Sequence, residues 1–342
     1  MNKLVNRQWL LARRPQGAVV PEDFRYHETT PPEPGEGEVL VRSLYFGFDA
    51  SQRIWLTEHG GYMPPVQVGE PVRTMGISQV VKSRHPGYAE GDMVEGFMTW
   101  QDYSIVRADG QMPLRLLPKM DIPLTWHLGL FGVGGLTAYF GAIDVLKVGP
   151  GDTVVVSAAT GATGSLLAGI CKAAGATRVI GIAGGAEKCR WIVEKAGYDV
   201  AIDYQNEDIG ARLAELCPDG VNAYFDNVGG DMLDTLLLAM APRGRILICG
   251  AMSSGYTDVQ MQGPRNYLFI CAKMLTVQGI LLTFYRDRLQ EGVEQLARWM
   301  SEGRLHVEEH IVEGFEHAPA LLPTMFTGKR PGKLLLKVAD PV

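Results

Sequence analysis

The run Val154-Val-Val-Ser-Ala-Ala-Thr-Gly-Ala-Thr-Gly-Ser165 sets a β-branched stretch directly before Ala159-x-Gly161-x-x-Gly164, with an apolar, helix-like stretch after it. Residues of these types at this spacing can hold a phosphate. Without a Cβ at Gly161 the backbone can approach an anion, Gly164 lets a helix pack on the strand, and the first N–H groups of that helix point at the charge. The pattern is the dinucleotide fingerprint with Ala159 in place of its first glycine. A turn that binds nothing can share the spacing, and the flanking strand and helix are what favour the nucleotide. An NAD site would carry Asp or Glu ~20 residues further on, at the end of the second strand. That position reads Ile182-Ala-Gly-Gly185, and Lys188 and Arg190 follow at the start of the next helix, either meeting a 2′-phosphate or simply solvated. The missing acid and the added base both point to NADPH.

Metal chemistry finds little support. The five cysteines begin at Cys171 and form no CxxC pair, so neither a four-cysteine zinc lobe nor a disulfide framework can be built. Only His27, His59, His85 and His127 remain in the first part of the chain, none within five residues of another. His306-Val-Glu-Glu-His310 matches an H-x-x-E-H metalloprotease pattern, which works on a helix. Here it lies between Gly303 and Gly314 and reads as a strand, which would hold the two rings about 13 Å apart, beyond joint ligation. No metal is expected.

These groups need elements to position them. The chain has 342 residues, 46% hydrophobic and 20% charged, which suggests about two domains of ordinary globular composition. Its net charge of −6 offers no field to gather nucleic acid or an anionic membrane, so a small-molecule partner is the default. The stretches Ile122–Ile143 and Thr153–Cys171 lack charged residues, but glycines and Pro123 break them into buried elements of a folded domain rather than membrane spans. The N-terminus has no apolar targeting run, and with an odd cysteine count a cytoplasmic location is expected. Up to about residue 125, short β-like runs such as Val39–Ser43, Ile77–Val81 and Ser104–Arg107 alternate with Pro/Gly turns, the pattern of a barrel-like all-β domain. From about 150, strands at 154–156, 179–182, 223–226 and 245–249 alternate with helices at 165–174, 187–195 and 232–240, which predicts a parallel doubly wound sheet. A helix over 318–326 and a strand over 333–338 close the chain and could return to the first domain. The 41 glycines exceed the usual ~7% and fall largely in barrel turns and at ends of the nucleotide-fold strands.

Several segments together carry a wider likeness. They are Tyr62-Met-Pro-Pro-Val-Gln-Val-Gly69, Trp100-Gln-Asp-Tyr103, Gly135-Leu-Thr-Ala-Tyr-Phe-Gly141, Ala159-Thr-Gly-Ala-Thr-Gly164, Gly184-Gly-Ala-Glu-Lys-Cys-Arg-Trp191, Phe225-Asp-Asn-Val-Gly-Gly230 and Gly328-Lys-Arg-Pro-Gly-Lys333. Over nearly its whole length the chain resembles the zinc-independent medium-chain dehydrogenase/reductases of the prostaglandin reductase, alkenal/one oxidoreductase and curcumin reductase type. The resemblance implies an α/β architecture: a GroES-like β-barrel domain (1–126 and 309–342) facing a Rossmann domain (127–308) across a cleft for NADPH and substrate, commonly as a homodimer. It also implies that Gly161, Ala162, Thr163 and Gly164 cradle the pyrophosphate, that Lys188 and Tyr204 hold the 2′-phosphate, and that Asn227 contacts the cofactor ribose. Cys249, Gly250, Ala251, Met252 and Ser253, with Ile280, Leu281 and Leu282, would line the nicotinamide side. Arg330 stands where such enzymes usually carry a cofactor-binding asparagine, and is the expected contact there. Two other positions depart from the pattern: Ser51 replaces a frequent pocket tyrosine, and Val133-Gly134 replaces Met-Pro. Tyr204 also suits a core aromatic, and Asn227 a turn before Gly229-Gly230.

The implied activity is NADPH-dependent reduction of the C=C bond of α,β-unsaturated aldehydes and ketones. Such a reaction needs a hydride on the β-carbon, a donor to the enolate oxygen and a proton for the α-carbon, with no metal required. A phenol of pKa near 10 stays protonated at pH 7 and can donate to that oxygen. Tyr256 is the first candidate, with Tyr62 and Tyr267 next; water and the cofactor ribose hydroxyl are the alternative. A quinone reductase or secondary-alcohol dehydrogenase would use the same fold, and an NADPH-binding protein without turnover would keep the same loop.

Overall fold

The computed structural model describes residues 4–107, 114–119, 121–257, 262–328 and 330–342. The turn-punctuated first third folds into short antiparallel strands. β1 (Asn6–Leu11) and β2 (Phe24–Thr29) form a ribbon, while β3 (Glu38–Phe48), β4 (Arg73–Ser83), β5 (Met93–Thr99), β6 (Tyr103–Arg107) and β7 (Arg115–Leu116) build a larger sheet. β4 lies along one edge of β3. The other edge is shared: β6 takes its Glu38–Arg42 half, and a strand from the far end of the chain takes the Tyr45–Phe48 half. Alternating Val39, Val41, Phe46 and Phe48 enter a core with Trp55 and Trp100.

After α1 (Val133–Phe140) the rhythm changes. β8 (Thr153–Val156), α2 (Gly164–Ala173), β9 (Arg178–Ala183), α3 (Ala186–Glu194), β10 (Val200–Asp203), α4 (Ile209–Leu216), β11 (Val221–Asp226), α5 (Gly230–Ala239), β12 (Met240–Ile248), α6 (Leu268–Ala272), β13 (Thr276–Gly279) and α7 (Leu289–Ser301) follow. Their strands form one parallel sheet in the order β10-β9-β8-β11-β12-β13. Val154, Val155 and Val156 are fully buried, as a central strand covered on both faces must be. The expected helix at 232–240 begins earlier, at Gly230, and ends at Ala239. Met240 is already extended (ψ 142°) and pairs with Val221, so β12 begins without a loop rather than at Arg245.

The end of the chain returns to the first sheet. β14 (Glu309–Glu313) pairs in parallel with β15 (Lys333–Lys337) across α8 (Ala318–Thr324), and β15 is the strand that completes the edge of β3. The strand expected at His306–His310 starts only at Glu309, so His306 lies outside it.

Candidate functional site

In a doubly wound sheet the order reverses where successive strands leave on opposite sides of the first, and ligands bind at that crevice beyond the carboxyl ends. Here the reversal lies between β8 and β11. Asn227, just past β11, donates from Nδ2 to the Ser157 carbonyl at 2.7 Å and from its backbone N to Ser157 Oγ at 2.9 Å, clamping the two strand ends together. Asp226 is fully buried beneath it. Its Oδ1 accepts from Tyr224 Oη at 2.8 Å and from the Val228 and Gly229 N–H groups at 2.9 Å, which shapes the turn into α5. Burial raises its pKa above the usual carboxylate range against those donors.

The glycine loop leaves β8 through Ala158, which takes a left-handed φ of 48°. A Cβ on Gly164 would collide with the Ala158 carbonyl oxygen and sit 2.8 Å from Ala159 Cα, so the start of α2 can press on the loop only because residue 164 is glycine. A Cβ on Gly161 would meet only Ala158 O, at 3.3 Å. The space beside Gly161 is thus open to a ligand rather than filled by protein, while the Ser165 and Leu166 N–H groups at the start of α2 donate back to the Gly161 and Thr163 carbonyls. The missing Cβ at Gly161 leaves room for a phosphate group.

Beside the loop, β9 ends at Gly184-Gly185. The Tyr204 ring lies 2.8 Å from where a Gly184 Cβ would be, so its stacking over the strand end requires that glycine. Tyr204 is half exposed, with a free face, and is not a core aromatic. A carboxylate does stand here, though one strand over: Asp203, at the end of β10, accepts from Gly185 N at 2.7 Å, Gln205 N at 3.1 Å and Asn206 Nδ2 at 2.8 Å. The Gly185 bond leads in holding its pKa below the usual range. Its oxygens are occupied by the turn rather than offered to a ribose. Lys188 is half-buried, its Nζ 3.1 Å from the position of a Gly328 Cβ; Arg190 is exposed. The Gly328–Lys333 strap therefore reaches both groups: Gly328 beside Lys188, and Gly332 donating to the Thr160 carbonyl of the loop at 2.8 Å.

At the end of β12, Cys249 N and Gly250 N both donate to the Asp226 carbonyl, and Ser253 Oγ donates to the Val228 carbonyl at 2.7 Å. Ala251 and Met252 continue this loop, and Ile280, Leu281 and Leu282 follow β13 half-buried alongside. Tyr256 curls back with a left-handed φ of 51°, a conformation bulky residues rarely hold without cause. Its Oη accepts the Ala251 N–H at 3.0 Å, leaving its own hydrogen to donate elsewhere. Burial pushes this phenol up to about 12. Tyr62 arrives from the connection between β3 and β4, half exposed, its ring 6.4 Å from Trp55 and edge-on, with Ser51 beside its hydroxyl. The Tyr256 hydroxyl lies against the 249–253 loop, 2.9 Å from where a Gly250 Cβ would be, and burial raises the pKa of both phenols. Tyr267 is different: it lies 66% exposed at the start of α6, where neighbouring Arg265 and Asn266 bind Asp234.

A surface groove of about 570 Å³ lies at the other end of the strands, among the C-termini of α2 and α3 and the Gly303–His306 turn. Two of its cations are paired, Lys172 with Asp199 and Arg304 with Glu302. Among the described residues no group of three or more His, Cys, Asp or Glu could hold a metal ion, and no helix is long and apolar enough to cross a membrane.

Residues 7–114 match the family described as the N-terminal domain of oxidoreductase, and residues 162–301 the family described as zinc-binding dehydrogenase. An NADPH-dependent curcumin reductase of Escherichia coli (strain K12) is 38% identical, over 98% of this chain and 97% of its own. The chain belongs to the medium-chain dehydrogenase/reductase family. Within it, prostaglandin reductase 1 of Mus musculus is 34% identical over 97% of this chain and 98% of its own. The crystal structure of CurA in complex with NADPH from Vibrio vulnificus superposes with a TM-score of 0.90 at 35% identity, covering 98% of this chain and all of that one. This medium-chain dehydrogenase/reductase is an NADPH-dependent oxidoreductase of the curcumin, alkenal and prostaglandin reductase type.

Proposed function

We propose that the enzyme reduces the C=C bond of α,β-unsaturated aldehydes and ketones. The observation that carries this reading is the half-buried Tyr256 phenol, held against the loop that follows β12 by the Ala251 N–H at 3.0 Å, with its own hydrogen left to donate. NADPH supplies the hydride for the β-carbon. Gly161, Ala162, Thr163 and Gly164 hold its pyrophosphate, Lys188 and Tyr204 its 2′-phosphate, and Asn227 its ribose. The 249–253 loop and Ile280–Leu282 wall the nicotinamide side. Tyr256 donates to the substrate carbonyl oxygen, stabilising negative charge as it develops there. Its accepted Ala251 N–H fixes the phenol's direction, and its raised pKa keeps it protonated. Tyr62 stands as a second donor, and tyrosine or water returns a proton to the α-carbon.

The residue ranges 1–126 with 309–342, and 127–308, serve as substrate and cofactor domains. The enzyme works as a homodimer. Strand β13 is the edge of the parallel sheet with all four residues exposed, and Leu268, Met274 and Phe284 are exposed around it, an apolar edge suited to a second copy. All five cysteines are free thiols, which suits a reducing cytoplasm. Following NADPH absorbance with trans-2-alkenals, aryl enones and quinones tests the activity. Oxidation with enals and enones is expected; tight NADPH binding without oxidation by any of them would overturn the enzymatic reading. Sedimentation velocity tests the dimer.

A further inference from the structure

The second histidine of His306-Val-Glu-Glu-His310 has a partner that no metal-binding reading anticipates. Arg330 Nη1 lies 3.2 Å from His310 Nδ1. A guanidinium only donates, so Nδ1 must be the bare nitrogen of a neutral imidazole with its hydrogen on Nε2. His306 is elsewhere, against Trp191 at a ring separation of 5.9 Å and bonded to Glu308. The backbone fixes both members of the pair. His310 sits on β14 opposite Leu334 of β15, and Arg330 lies in the strap just before β15. The strap itself is anchored on either side of Arg330: Gly328 beside Lys188, and Gly332 on the Thr160 carbonyl, paired with Gly161. At Gly332, φ is 82° and a Cβ would run into Glu308, so this approach needs glycine. Arg330 is therefore an exposed cation on a strap that meets Lys188 at Gly328 and the glycine loop at Gly332.

We propose that His310 is a positioning residue that holds the Arg330 guanidinium over the cofactor's phosphate groups. The pair adds a fixed positive charge between the pyrophosphate loop and the 2′-phosphate lysine. The inference rests on the assignment of that loop and Lys188 to the cofactor. His310 never touches the nucleotide: it accepts one Arg330 N–H and leaves the other guanidinium donors directed at phosphate oxygens.

The test is equilibrium titration of the full-length enzyme with NADPH and with NADH, following nucleotide fluorescence without substrate, with melting temperatures recorded for each variant. Arg330→Gln is expected to weaken NADPH about tenfold, the scale of one charge-assisted hydrogen bond. An equal loss for NADH would assign the contact to the pyrophosphate, and a loss confined to NADPH would assign it to the 2′-phosphate; both support the proposal. His310→Leu should weaken binding in the same direction, His310→Asn should restore it by offering an amide oxygen in place of Nδ1, and His310→Leu should add nothing in the Arg330→Gln background. Unchanged affinity in Arg330→Gln, or additive losses in the double variant, would overturn the proposal. Lys188→Ala separates it from the underlying assignment: full NADPH affinity in Lys188→Ala would reject the assignment, whereas a loss there beside an unaffected Arg330→Gln would reject this inference alone.

Discussion

Lys188, Tyr256 and Asp203 show how far residue type alone carries. Lys188 stands at the start of α3 with its ammonium turned toward the strap at Gly328, whereas Arg190 faces solvent. Lys188→Ala should therefore raise the NADPH dissociation constant about tenfold or more, as expected for losing a charge-assisted phosphate contact, and leave NADH unchanged. Parallel titrations with both nucleotides check this. Tyr256→Phe should leave NADPH affinity intact and lower kcat with an enone by about 10²-fold, the usual effect of removing one donor to a developing oxyanion. Burial disfavours the phenolate and moves Tyr256 up to about 12, so its donor form persists well above pH 10. The profile of kcat/KM should accordingly show no descending limb from Tyr256 between pH 7 and pH 10. A fall near pH 10 that disappears in Tyr256→Phe would contradict this. Asp203 was hidden from a linear reading because its carboxylate reaches Gly185 from the neighbouring strand, across a sheet register that residue spacing does not encode.

At the scale of elements, the glycine loop makes a contrast that melting curves and NADPH titration can read. Gly164→Ala forces a methyl into the Ala158 carbonyl and Ala159, and should cost about 1–3 kcal/mol of stability, as overpacking does. Gly161→Ala meets only one atom, at 3.3 Å, so it should melt near wild type yet bind NADPH poorly, its methyl occupying the phosphate space. The alternation of β8, α2, β9, α3, β11 and α5 was legible because each pairs a short β-branched or aromatic run with a helix-period run. β10 and α4 were not. β10 is only Val200-Ala-Ile-Asp203, too short for a period, and the one strong local sign of α4 is Asp208, whose side chain caps it by accepting from Ala211 N at 2.8 Å. β13 was also hidden, since all four of its residues are exposed in the chain and no burial pattern marks it. The α5–β12 junction was misplaced because the apolar run Leu236–Met240 suits a helix and a buried strand equally well. At the candidate site, the loop, Lys188 and Asn227 were visible as residue types. His310 was visible only as half of a metal motif, and its real partner lies 20 residues away in a strap.

At the scale of the whole molecule, the closing segment is tied back to the first sheet at Lys333. Its side chain is 4% exposed; Nζ donates to Asp49 Oδ1 at 2.6 Å and to the Phe48 carbonyl at 3.2 Å. The pair ties β15 to the turn after β3, two residues before Ser51. Lys333→Met would strand the Asp49 carboxylate in a partly buried setting. A loss of about 3 kcal/mol, the scale for breaking one side of a buried pair, is expected by thermal or denaturant unfolding. A loss under about 0.5 kcal/mol, as for an exposed pair, would show Asp49 to be well solvated. The same closing segment has a consequence for the order of synthesis. The glycine loop at 158–164 is translated well before Gly332, yet the Gly332–Thr160 bond and the β15–β3 pairing require that much later segment. A nascent chain can form its parallel sheet early, but it waits for the strap and β15 to be made before Gly332 can reach that loop.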